Sequence, residues 1–394
     1  MDITITPKQL QGTIQIIPSK SQAHRVLICA AFSDNVTKIR CSQSNRDIDA
    51  TVQCLQALGA KIVRTKEGFI VTPIRRIAKN ATLPCCESGS TLRFLLPIVG
   101  ALGIDTLFQV EGRLPERPLS PLWEEMERMG CTLSRPTKNS LRCAGKLRGG
   151  QYIIEGGVSS QFVTGLLIAL PLIKGNCCIS VRGKLESKPY VQLTQSVMKI
   201  FQVDTTDYKI NGNGRFISPG NISIEGDWSN GAFFLAANAL GSDLQVMNLN
   251  QSSAQGDRYI AELLPKLSQN ISISAADIPD LIPILSIVAA SKQGCTFTDI
   301  QRLRLKESDR VASVIQMLNA LGIQATATEK KLTVFPGKFT SGIVDTVNDH
   351  RIAMSAAIAA TIAEGPVRIM GAECVKKSYP TFWEEYARLG GTYE

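Results

Sequence analysis

Two cations, two carboxylates and a hydroxyl occupy five consecutive positions, Lys306 to Arg310. Apolar residues recur at helical spacing from Val311 to Leu321, so the charged stretch is predicted to lie at the start of a helix. Unpaired backbone N–H groups at a helix start favour anions, and Ser308 or Asp309 could cap this helix. Charged first turns are also common on solvated helices, so this stretch alone does not identify a site.

Similar polar stretches precede other predicted helices. They bring Lys, Arg, Asp, Glu, Ser or Tyr to helix starts and are Pro18 to Arg25, Glu87 to Arg93, Arg113 to Leu119, Ser159 to Gln161, Ser187 to Tyr190, Asp277 to Pro283, Asn348 to Arg351 and Lys376 to Pro380. So many such stretches are not expected of solvated loops. Helix N-termini that converge with arginines form a pocket for more than one anion.

Asp280 is a candidate general base because it lies just ahead of a wholly apolar helix. Burial there would raise the pKa of Asp280 towards the range of a general base, whereas the helix N-terminus would lower it. The sequence leaves both directions open.

Composition predicts a globular protein of two domains. The length of 394 residues exceeds that of a single domain, which is about 100–150 residues. Hydrophobic residues make up 44% of the chain, as expected of a globular protein. A net charge of +9 admits nucleic acid, an anionic surface or a small polyanionic substrate as partner. Aromatic residues make up only 6%, no Lys/Arg run reaches five and no nucleic-acid-binding motif is present, so nucleic acid is not expected.

Cysteine and histidine usage predicts reduced thiols and no metal. The eleven cysteines are scattered and include no Cys-x-x-Cys, which is typical of a cytosolic protein. His24 and His350 are the two histidines and lie far apart without ligand spacing. Met1 to Thr6 alternates like a strand and does not resemble a signal peptide, and no apolar run reaches the length of a membrane span. We expect a soluble, cytoplasmic protein.

One pattern recurs six times, three times in each half: an amphipathic helix with the ending Leu-x-x-Leu-Gly or a variant of it, followed by a strand. The copies end near Gly59, Gly130, Gln202, Ser268, Gly322 and Gly390. Glycine there predicts a left-handed helix cap. Each repeat also carries an apolar helix without charges that should be buried all round, as at Leu92 to Leu102 or Leu281 to Ala290. Short strands such as Lys61 to Arg64 and Val367 to Met370 lie between them. The predicted architecture is two α/β domains of three units each, with the site between the halves.

In this order and across essentially the whole chain, seven of these motifs resemble the 5-enolpyruvylshikimate-3-phosphate synthase family. They are Ser19-Lys20-Ser21, Arg117-Pro118, Ser159-Ser160-Gln161, Ser187-Lys188-Pro189-Tyr190, Lys306 to Arg310, Asp349-His350-Arg351 and Lys377-Ser378-Tyr379-Pro380. The resemblance implies two α/β domains, each of three βαβαββ repeats around buried central helices, an arrangement described as an inside-out α/β barrel. It implies an N-terminal domain of residues 18–225 on the shikimate 3-phosphate side. Residues 1–17 and 226–394 would form the C-terminal domain, with the active site in the cleft between the two.

The resemblance also implies the activity: transfer of the enolpyruvyl group of phosphoenolpyruvate to the 5-hydroxyl of shikimate 3-phosphate, in aromatic amino-acid biosynthesis, by a monomer without cofactor. Shikimate 3-phosphate would contact Lys20, Ser21, Arg25, Ser159, Ser160, Gln161, Ser187, Tyr190, Asp280 and Lys306. Phosphoenolpyruvate would contact Lys20, Gly89, Arg117, Gln161, Arg310, Arg351 and Lys377. Clustered cations are physically reasonable here because two anionic substrates repel each other.

By the same resemblance, Asp280 takes the proton from the 5-hydroxyl while Glu307, supported by Lys20, protonates the methylene of phosphoenolpyruvate. Lys306 is implied to contact the 5-hydroxyl and Asp280. The tetrahedral intermediate then loses phosphate. Acid and base must hold different protonation states, which burial and neighbouring cations can enforce.

The chain departs from the family pattern at Glu87 to Thr91, where the family commonly has Asn-Ala-Gly-Thr-Ala. A carboxylate at Glu87 would repel phosphoenolpyruvate unless an arginine pairs with it. Arg302 stands where some members have asparagine.

Two alternative functions belong to different classes. The enolpyruvyl transferase that modifies UDP-N-acetylglucosamine shares the fold, but has Lys-Asn where Lys20-Ser21 stands and lacks the Lys306 to Arg310 pattern. A non-catalytic anion-binding protein would need only the net charge and the helix N-termini. Asp280 argues against it, because a carboxylate gains nothing in a pocket that only binds anions.

Overall fold

The computed structural model describes residues 1–212 and 214–394, which divide into two compact units. The first, here called the continuous unit, is Pro18–Glu225. The second, the discontinuous unit, combines Met1–Ile17 with Gly226–Glu394.

Helices and strands are interspersed along the whole chain. Strands β1 (Ile3–Thr6) and β2 (Gln11–Gln15) come first and belong to the discontinuous unit. The continuous unit contains α1 (Lys20–Ala31), β3 (Thr37–Arg40), α2 (Arg46–Ala57), β4 (Lys61–Arg64), β5 (Gly68–Thr72), β6 (Asn80–Cys86), α3 (Gly89–Leu102), β7 (Asp105–Val110), α4 (Leu122–Arg128), β8 (Cys131–Ser134), β9 (Ser140–Gly145), β10 (Gly150–Glu155), α5 (Ser160–Ala169), β11 (Cys177–Arg182), α6 (Lys188–Ile200), β12 (Lys209–Ile210) and β13 (Asn221–Ser223). The discontinuous unit resumes with α7 (Trp228–Ala239), β14 (Asp243–Met247), α8 (Ile260–Lys266), β15 (Ile271–Ser274), α9 (Ile282–Ser291), β16 (Cys295–Thr298), α10 (Arg310–Ala320), β17 (Ala325–Ala327), β18 (Lys331–Val334), β19 (Gly342–Asp345), α11 (His350–Ala360), β20 (Val367–Met370), α12 (Phe382–Arg388) and β21 (Thr392–Tyr393).

The predicted βαβαββ repeat is confirmed. In the continuous unit β6, α3, β7, α4, β8 and β9 follow this order, and their strands form a sheet with the order β6-β7-β9-β8. In the discontinuous unit the elements from β15 to β18 do the same, with the sheet order β15-β16-β18-β17. In both, the first two strands are parallel because a helix connects them, and the last two are antiparallel.

Three repeats are completed by strands that are distant in sequence. Asn221 to Ser223 of β13 pair in parallel with Lys38 to Arg40 of β3. Strand β2 pairs in parallel with β14, and β1 lies between β20 and β21, antiparallel to both. Each unit therefore depends on backbone pairing between residues far apart along the chain.

The second helix of most repeats ends in a left-handed residue, as predicted from the repeated glycines. Gly59, Gly130, Gly322 and Gly390 all have positive φ, and Gln202 adopts φ 60° where glycine is replaced. A left-handed residue stops the helix and turns the chain into the next strand.

The first helix of each repeat is buried and forms the centre of its unit. Every residue of α11 is buried, and α9 is buried from Ile282 to Ala290. Helices α3 and α5 approach so closely that a Cβ on Gly165 would lie 2.3 Å from the backbone oxygen of Arg93. Buried helices cannot leave their first N–H groups unpaired, so polar residues at their N-termini must satisfy them.

The sheets stay open and contain two to four strands, and none of those formed by the described residues closes into a barrel. The term inside-out therefore describes the buried central helices and does not describe a closed barrel of strands. Within residues 1–212 and 214–394, no helix has both the length and the apolarity needed to cross a membrane.

Candidate active site

Arg310 is the centre of a buried ionic cluster in the discontinuous unit. It is the first residue of α10, is 0% exposed and donates to three carboxylates. Its Nη1 lies 2.7 Å from Asp280 Oδ1, its Nη2 lies 2.7 Å from Glu307 Oε2, and its Nε lies 3.1 Å from Asp349 Oδ2. One guanidinium thus fixes both predicted proton-transfer residues.

Asp280 is held by two further cations. Arg351 Nη2 lies 2.9 Å from Asp280 Oδ2, and Arg351 Nη1 lies 3.2 Å from the Asp280 backbone oxygen. Lys306 Nζ lies 3.7 Å from Asp280 Oδ1. The predicted residues Asp280, Lys306, Glu307, Arg310 and Arg351 are therefore brought together.

The cations decide the charge of Asp280, a question that the sequence left open. Burial favours the neutral acid, but Arg351, Lys306 and Arg310 outweigh it and hold the pKa of Asp280 well below its usual range. Burial lowers the pKa of Lys306 to about 8, although Asp280 opposes that shift. The cluster thus contains an ionised carboxylate and a lysine that loses its proton as the pH rises through about 8.

The caps of α10 and α11 hold this cluster in place. Asp309 caps α10 by accepting from the Ala312 N–H at 3.2 Å, whereas Ser308 donates to Asp349 Oδ2 at 3.0 Å. Asp349 caps α11 by accepting from the Arg351 N–H at 2.9 Å. Of the two predicted caps of α10, Asp309 is therefore the correct one, and Lys306 to Ser308 precede the helix.

Two further residues lie near the ionic cluster in the discontinuous unit. The buried Lys377 donates to the Asn348 backbone oxygen at 3.0 Å, directly beside Asp349. Asp257 is buried, accepts from Ser229 Oγ and interacts electrostatically with Asp280 and Arg351. Burial, together with the charge of Asp280, raises the pKa of Asp257 to about 6. Sequence reasoning missed Asp257 because it does not precede an apolar helix.

In the continuous unit, a second cationic group surrounds the N-terminus of α3. A Cβ on Gly89 would lie 2.7 Å from Arg93 Nη1 and 2.8 Å from Arg117 Nη1, so only glycine allows both guanidinium groups this close to the backbone. Arg93 Nη1 donates to Gln161 Oε1 at 3.1 Å, and Gln161 Nε2 donates to Ser90 Oγ at 3.0 Å. The predicted residues Gly89, Arg117 and Gln161 therefore lie together.

Arg93 lies in the polar stretch Glu87 to Arg93 but was not among the predicted site residues. It is the fifth residue of α3, all later residues of which are apolar or glycine, and its Nη2 donates to the Pro118 backbone oxygen at 3.2 Å. That contact ties Arg93 to the segment carrying Arg117. The sequence signal that could have identified Arg93 was its position just after a helix start rich in hydroxyl side chains.

Arg25 is a buried cation held by neutral acceptors. Its Nη1 donates to the Ser21 backbone oxygen at 2.6 Å, its Nη2 to the Tyr190 backbone oxygen at 3.0 Å, and its Nε to Thr194 Oγ1 at 2.8 Å. Burial lowers the pKa of Arg25 to about 10. A carboxylate or phosphate brought to this guanidinium would gain a strong interaction in a poorly solvated place.

The remaining predicted residues lie at helix starts. Lys20 is the first residue of α1, and its Nζ lies 3.1 Å from Asp47 Oδ2, a partner that was not predicted. Ser159 caps α5 and precedes the buried Ser160, whereas Ser187 occupies the N-cap position of α6 with φ 55° and makes no capping side-chain hydrogen bond there. The Glu87 side chain lies over Gly112, where a Cβ would lie 2.7 Å from Glu87 Cδ.

Metal-binding geometry is not found among the described residues, where no group of three or more His, Cys, Asp and Glu could hold a metal ion. What the two groups can do is bind anions at several cations and exchange protons through Asp280 and Glu307.

Comparisons with known proteins identify relatives of this chain. Residues 5–386 match the family model described as EPSP synthase (3-phosphoshikimate 1-carboxyvinyltransferase). The chain is 38% identical to a 3-phosphoshikimate 1-carboxyvinyltransferase of Clostridium kluyveri over 416 residues, which cover 99% of this chain and 97% of the relative. It is also 38% identical to one from Clostridium perfringens strain 13, over 99% of this chain and 98% of the relative.

Solved structures show the same fold. The EPSP synthase of Acinetobacter baumannii matches with a TM-score of 0.80 and 25% identity, covering 100% of this chain and 99% of that one. The enolpyruvyl transferase NikO of Streptomyces tendae matches with a TM-score of 0.78 at 16% identity, which supports the fold alone. By its match over nearly the full length and its identity to these relatives, the chain belongs to the EPSP synthase (3-phosphoshikimate 1-carboxyvinyltransferase) family.

Proposed function

We propose that this chain transfers the carboxyvinyl group of phosphoenolpyruvate to the 5-hydroxyl of shikimate 3-phosphate and releases phosphate, the reaction of EC 2.5.1.19. The observation that carries the proposal is Asp280, an ionised carboxylate surrounded by three cations and held by the same arginine as Glu307. Family membership agrees with it. The transfer belongs to the shikimate pathway of aromatic amino-acid biosynthesis.

The proposed addition step needs a base and an acid. Asp280 takes the proton of the 5-hydroxyl, whose oxygen attacks C2 of phosphoenolpyruvate, while Glu307 gives a proton to C3, with Lys20 in support. The tetrahedral intermediate then returns a proton from C3 to Glu307 and loses phosphate from C2, which restores the double bond. When anionic groups of phosphoenolpyruvate engage Arg310 and Arg351, they offset part of the charge that lowers the pKa of Asp280, so Asp280 becomes a stronger base on binding.

The substrate contacts remain proposals, supported by the two cationic groups. Shikimate 3-phosphate would contact Lys20, Ser21, Arg25, Ser159, Ser160, Gln161, Ser187, Tyr190, Asp280 and Lys306. Phosphoenolpyruvate would contact Lys20, Gly89, Arg117, Gln161, Arg310, Arg351 and Lys377. Action as a cytoplasmic monomer, without nucleic acid or cofactor, also stays a prediction; sedimentation of the purified protein tests the oligomeric state.

Phosphate release tests the proposed reaction. The purified protein is given phosphoenolpyruvate with shikimate 3-phosphate and, separately, phosphoenolpyruvate with UDP-N-acetylglucosamine. Release with the first pair alone is expected. Release with the second pair alone would assign the sister transferase, and release with neither pair would favour a non-catalytic anion binder.

Replacing Arg117 by alanine should raise the KM for phosphoenolpyruvate. A charge-assisted hydrogen bond contributes about 1.5–3 kcal/mol, so the expected increase is about 10- to 150-fold. Arg142→Ala is the matched control because Arg142 is exposed and pairs with Asp105 away from the site. An unchanged KM for phosphoenolpyruvate in Arg117→Ala would exclude Arg117 from that contact.

The pH dependence should report the charge of Lys306. Because burial lowers the pKa of Lys306 to about 8, the free enzyme loses this cation as the pH rises through about 8, and kcat/KM should fall. Lys306→Arg keeps its charge and should move that fall to higher pH. Lys292→Arg, at an exposed lysine, should leave the profile unchanged. A fall at the same pH in Lys306→Arg would assign it to another group.

A further inference from the structure

A buried chain of side chains joins His24 to the start of α3. His24 Nδ1 lies 2.7 Å from Thr51 Oγ1, which lies 2.7 Å from Thr91 Oγ1, which in turn lies 2.7 Å from Ser88 Oγ. All four residues are at most 1% exposed. The chain therefore links helices α1, α2 and α3 beneath the cationic group around Gly89.

The last bond of this chain has a defined direction. The geometry allows the Thr91 hydroxyl to donate to Ser88 Oγ, which also accepts from the Thr91 backbone N–H at 3.3 Å and so caps α3. A hydroxyl group has one proton to donate. Thr91 must therefore accept from Thr51 in the middle bond.

The same count of hydroxyl protons fixes the direction of the hydrogen bond between His24 and Thr51. The single proton of Thr51 is donated to Thr91, so Thr51 Oγ1 can only accept from His24. His24 must then carry its proton on Nδ1. This assignment follows from the hydroxyl geometry alone.

The other ring nitrogen of His24 agrees with the assignment. Nε2 is buried and has no hydrogen-bond partner among the described residues. A proton on Nδ1 leaves Nε2 with a lone pair, which is less costly than an orphaned N–H group. Burial, then the charges of Lys20 and Arg25, hold the pKa of His24 well below its usual value, so the ring is neutral.

We propose that His24, as the neutral Nδ1–H tautomer, is a positioning residue that orients the hydroxyl chain ending at the Ser88 cap and thereby fixes the anion-binding start of α3. Thr91 also contacts the Asp47 backbone oxygen at 3.5 Å, and the Asp47 carboxylate pairs with Lys20. These hydrogen-bonded side chains thus support the positions of Gly89 and Lys20, two residues predicted to contact phosphoenolpyruvate. Only the identity of that ligand rests on the proposed function.

Nitrogen NMR tests the tautomer without any substrate. The chain has two histidines, so ¹⁵N-histidine labelling gives two ring systems, and His350→Gln identifies the one that belongs to His24. A protonated Nδ1 and an unprotonated Nε2 at neutral pH are expected for His24. A proton on Nε2 alone, or on both nitrogens, would overturn the proposal. This test needs no substitution of the threonines, so it does not depend on whether such variants fold.

Steady-state kinetics test the positioning role. Thr51→Val removes the acceptor of His24 and the donor to Thr91, and should raise the KM for phosphoenolpyruvate about tenfold, with the KM for shikimate 3-phosphate unchanged. Thr51→Ser should restore the wild-type value. Thr106→Val is the matched control, since Thr106 is equally buried and donates to the Ile104 backbone oxygen within its own segment.

The outcomes separate this proposal from the proposed function. Equal KM values for phosphoenolpyruvate in Thr51→Val and Thr106→Val would overturn the positioning role. Wild-type protein that turns over neither substrate pair would instead overturn the proposed function, while the NMR result would still decide the tautomer.

Discussion

Turnover falls by about 10²–10⁴-fold when Asp280 is replaced by asparagine, the usual effect of removing a general base. Asparagine keeps the size of the side chain but cannot accept the proton of the 5-hydroxyl. Binding of shikimate 3-phosphate, measured by calorimetry, should persist because Arg25 and the serines of the continuous unit are untouched. Glu307→Gln should lower turnover by a similar factor because it removes the general acid.

Glu125→Gln is the matched control for this experiment. Glu125 is also a buried carboxylate paired with an arginine, at 2.6 Å from Arg128, but it lies on α4 outside the ionic cluster. Its replacement should affect stability and leave kcat unchanged. Wild-type turnover in Asp280→Asn would refute the assignment of Asp280 as the base.

Replacing Arg310 by methionine should be the most destabilising change in the discontinuous unit. The side chain is fully buried and is paired with Asp280, Glu307 and Asp349, so its removal takes one cation away from all three carboxylates. Breaking a buried ion pair from one side costs about 3–5 kcal/mol of unfolding free energy. Arg388→Met, at an exposed pair with Glu385, should cost less than about 1 kcal/mol.

Urea unfolding at two pH values measures this loss. Trp228 and Trp383 are buried in the discontinuous unit, so a Trp123→Phe background makes fluorescence report on that unit alone. The pKa of Asp280 and that of Asp349 are held low in the folded protein, and losing Arg310 raises both. Their stabilising contribution is fully present above the unfolded pKa of about 3.8 and is lost as the pH falls through the lower folded pKa, so the difference between variant and wild type should shrink as the pH falls from about 5 towards 3. A difference that does not depend on pH would attribute the loss to packing.

Local structure was largely predictable from the sequence because each repeat carries its own signals. The strands Lys61–Arg64 and Val367–Met370 and the buried helices followed from short apolar runs and helix-ending glycines. The partners of β13 and of β1 did not, because neighbouring sequence does not encode which distant strand completes a sheet.

The sequence supplied candidate residues for the site, but not the contacts between them. Sequence reasoning placed Lys306 to Arg310 at a helix start. The hydrogen bonds from Arg310 to Asp280 and Asp349 could not be predicted, because they depend on how three helix starts pack together. For the same reason the sign of the Asp280 pKa shift stayed open until the positions of Arg351 and Lys306 were known. Asp257 was missed because only tertiary packing brings it near Asp280.

The strands that complete each unit also set an order for folding during synthesis. The continuous unit has all its strands once β13 has left the ribosome, so it can fold while the rest is still being translated. Strands β1 and β2 are made first but pair with β14, β20 and β21, which are made far later. Strands β1 and β2 therefore cannot form these pairs until then, and the ionic cluster around Arg310 cannot form before Arg351 has been synthesised.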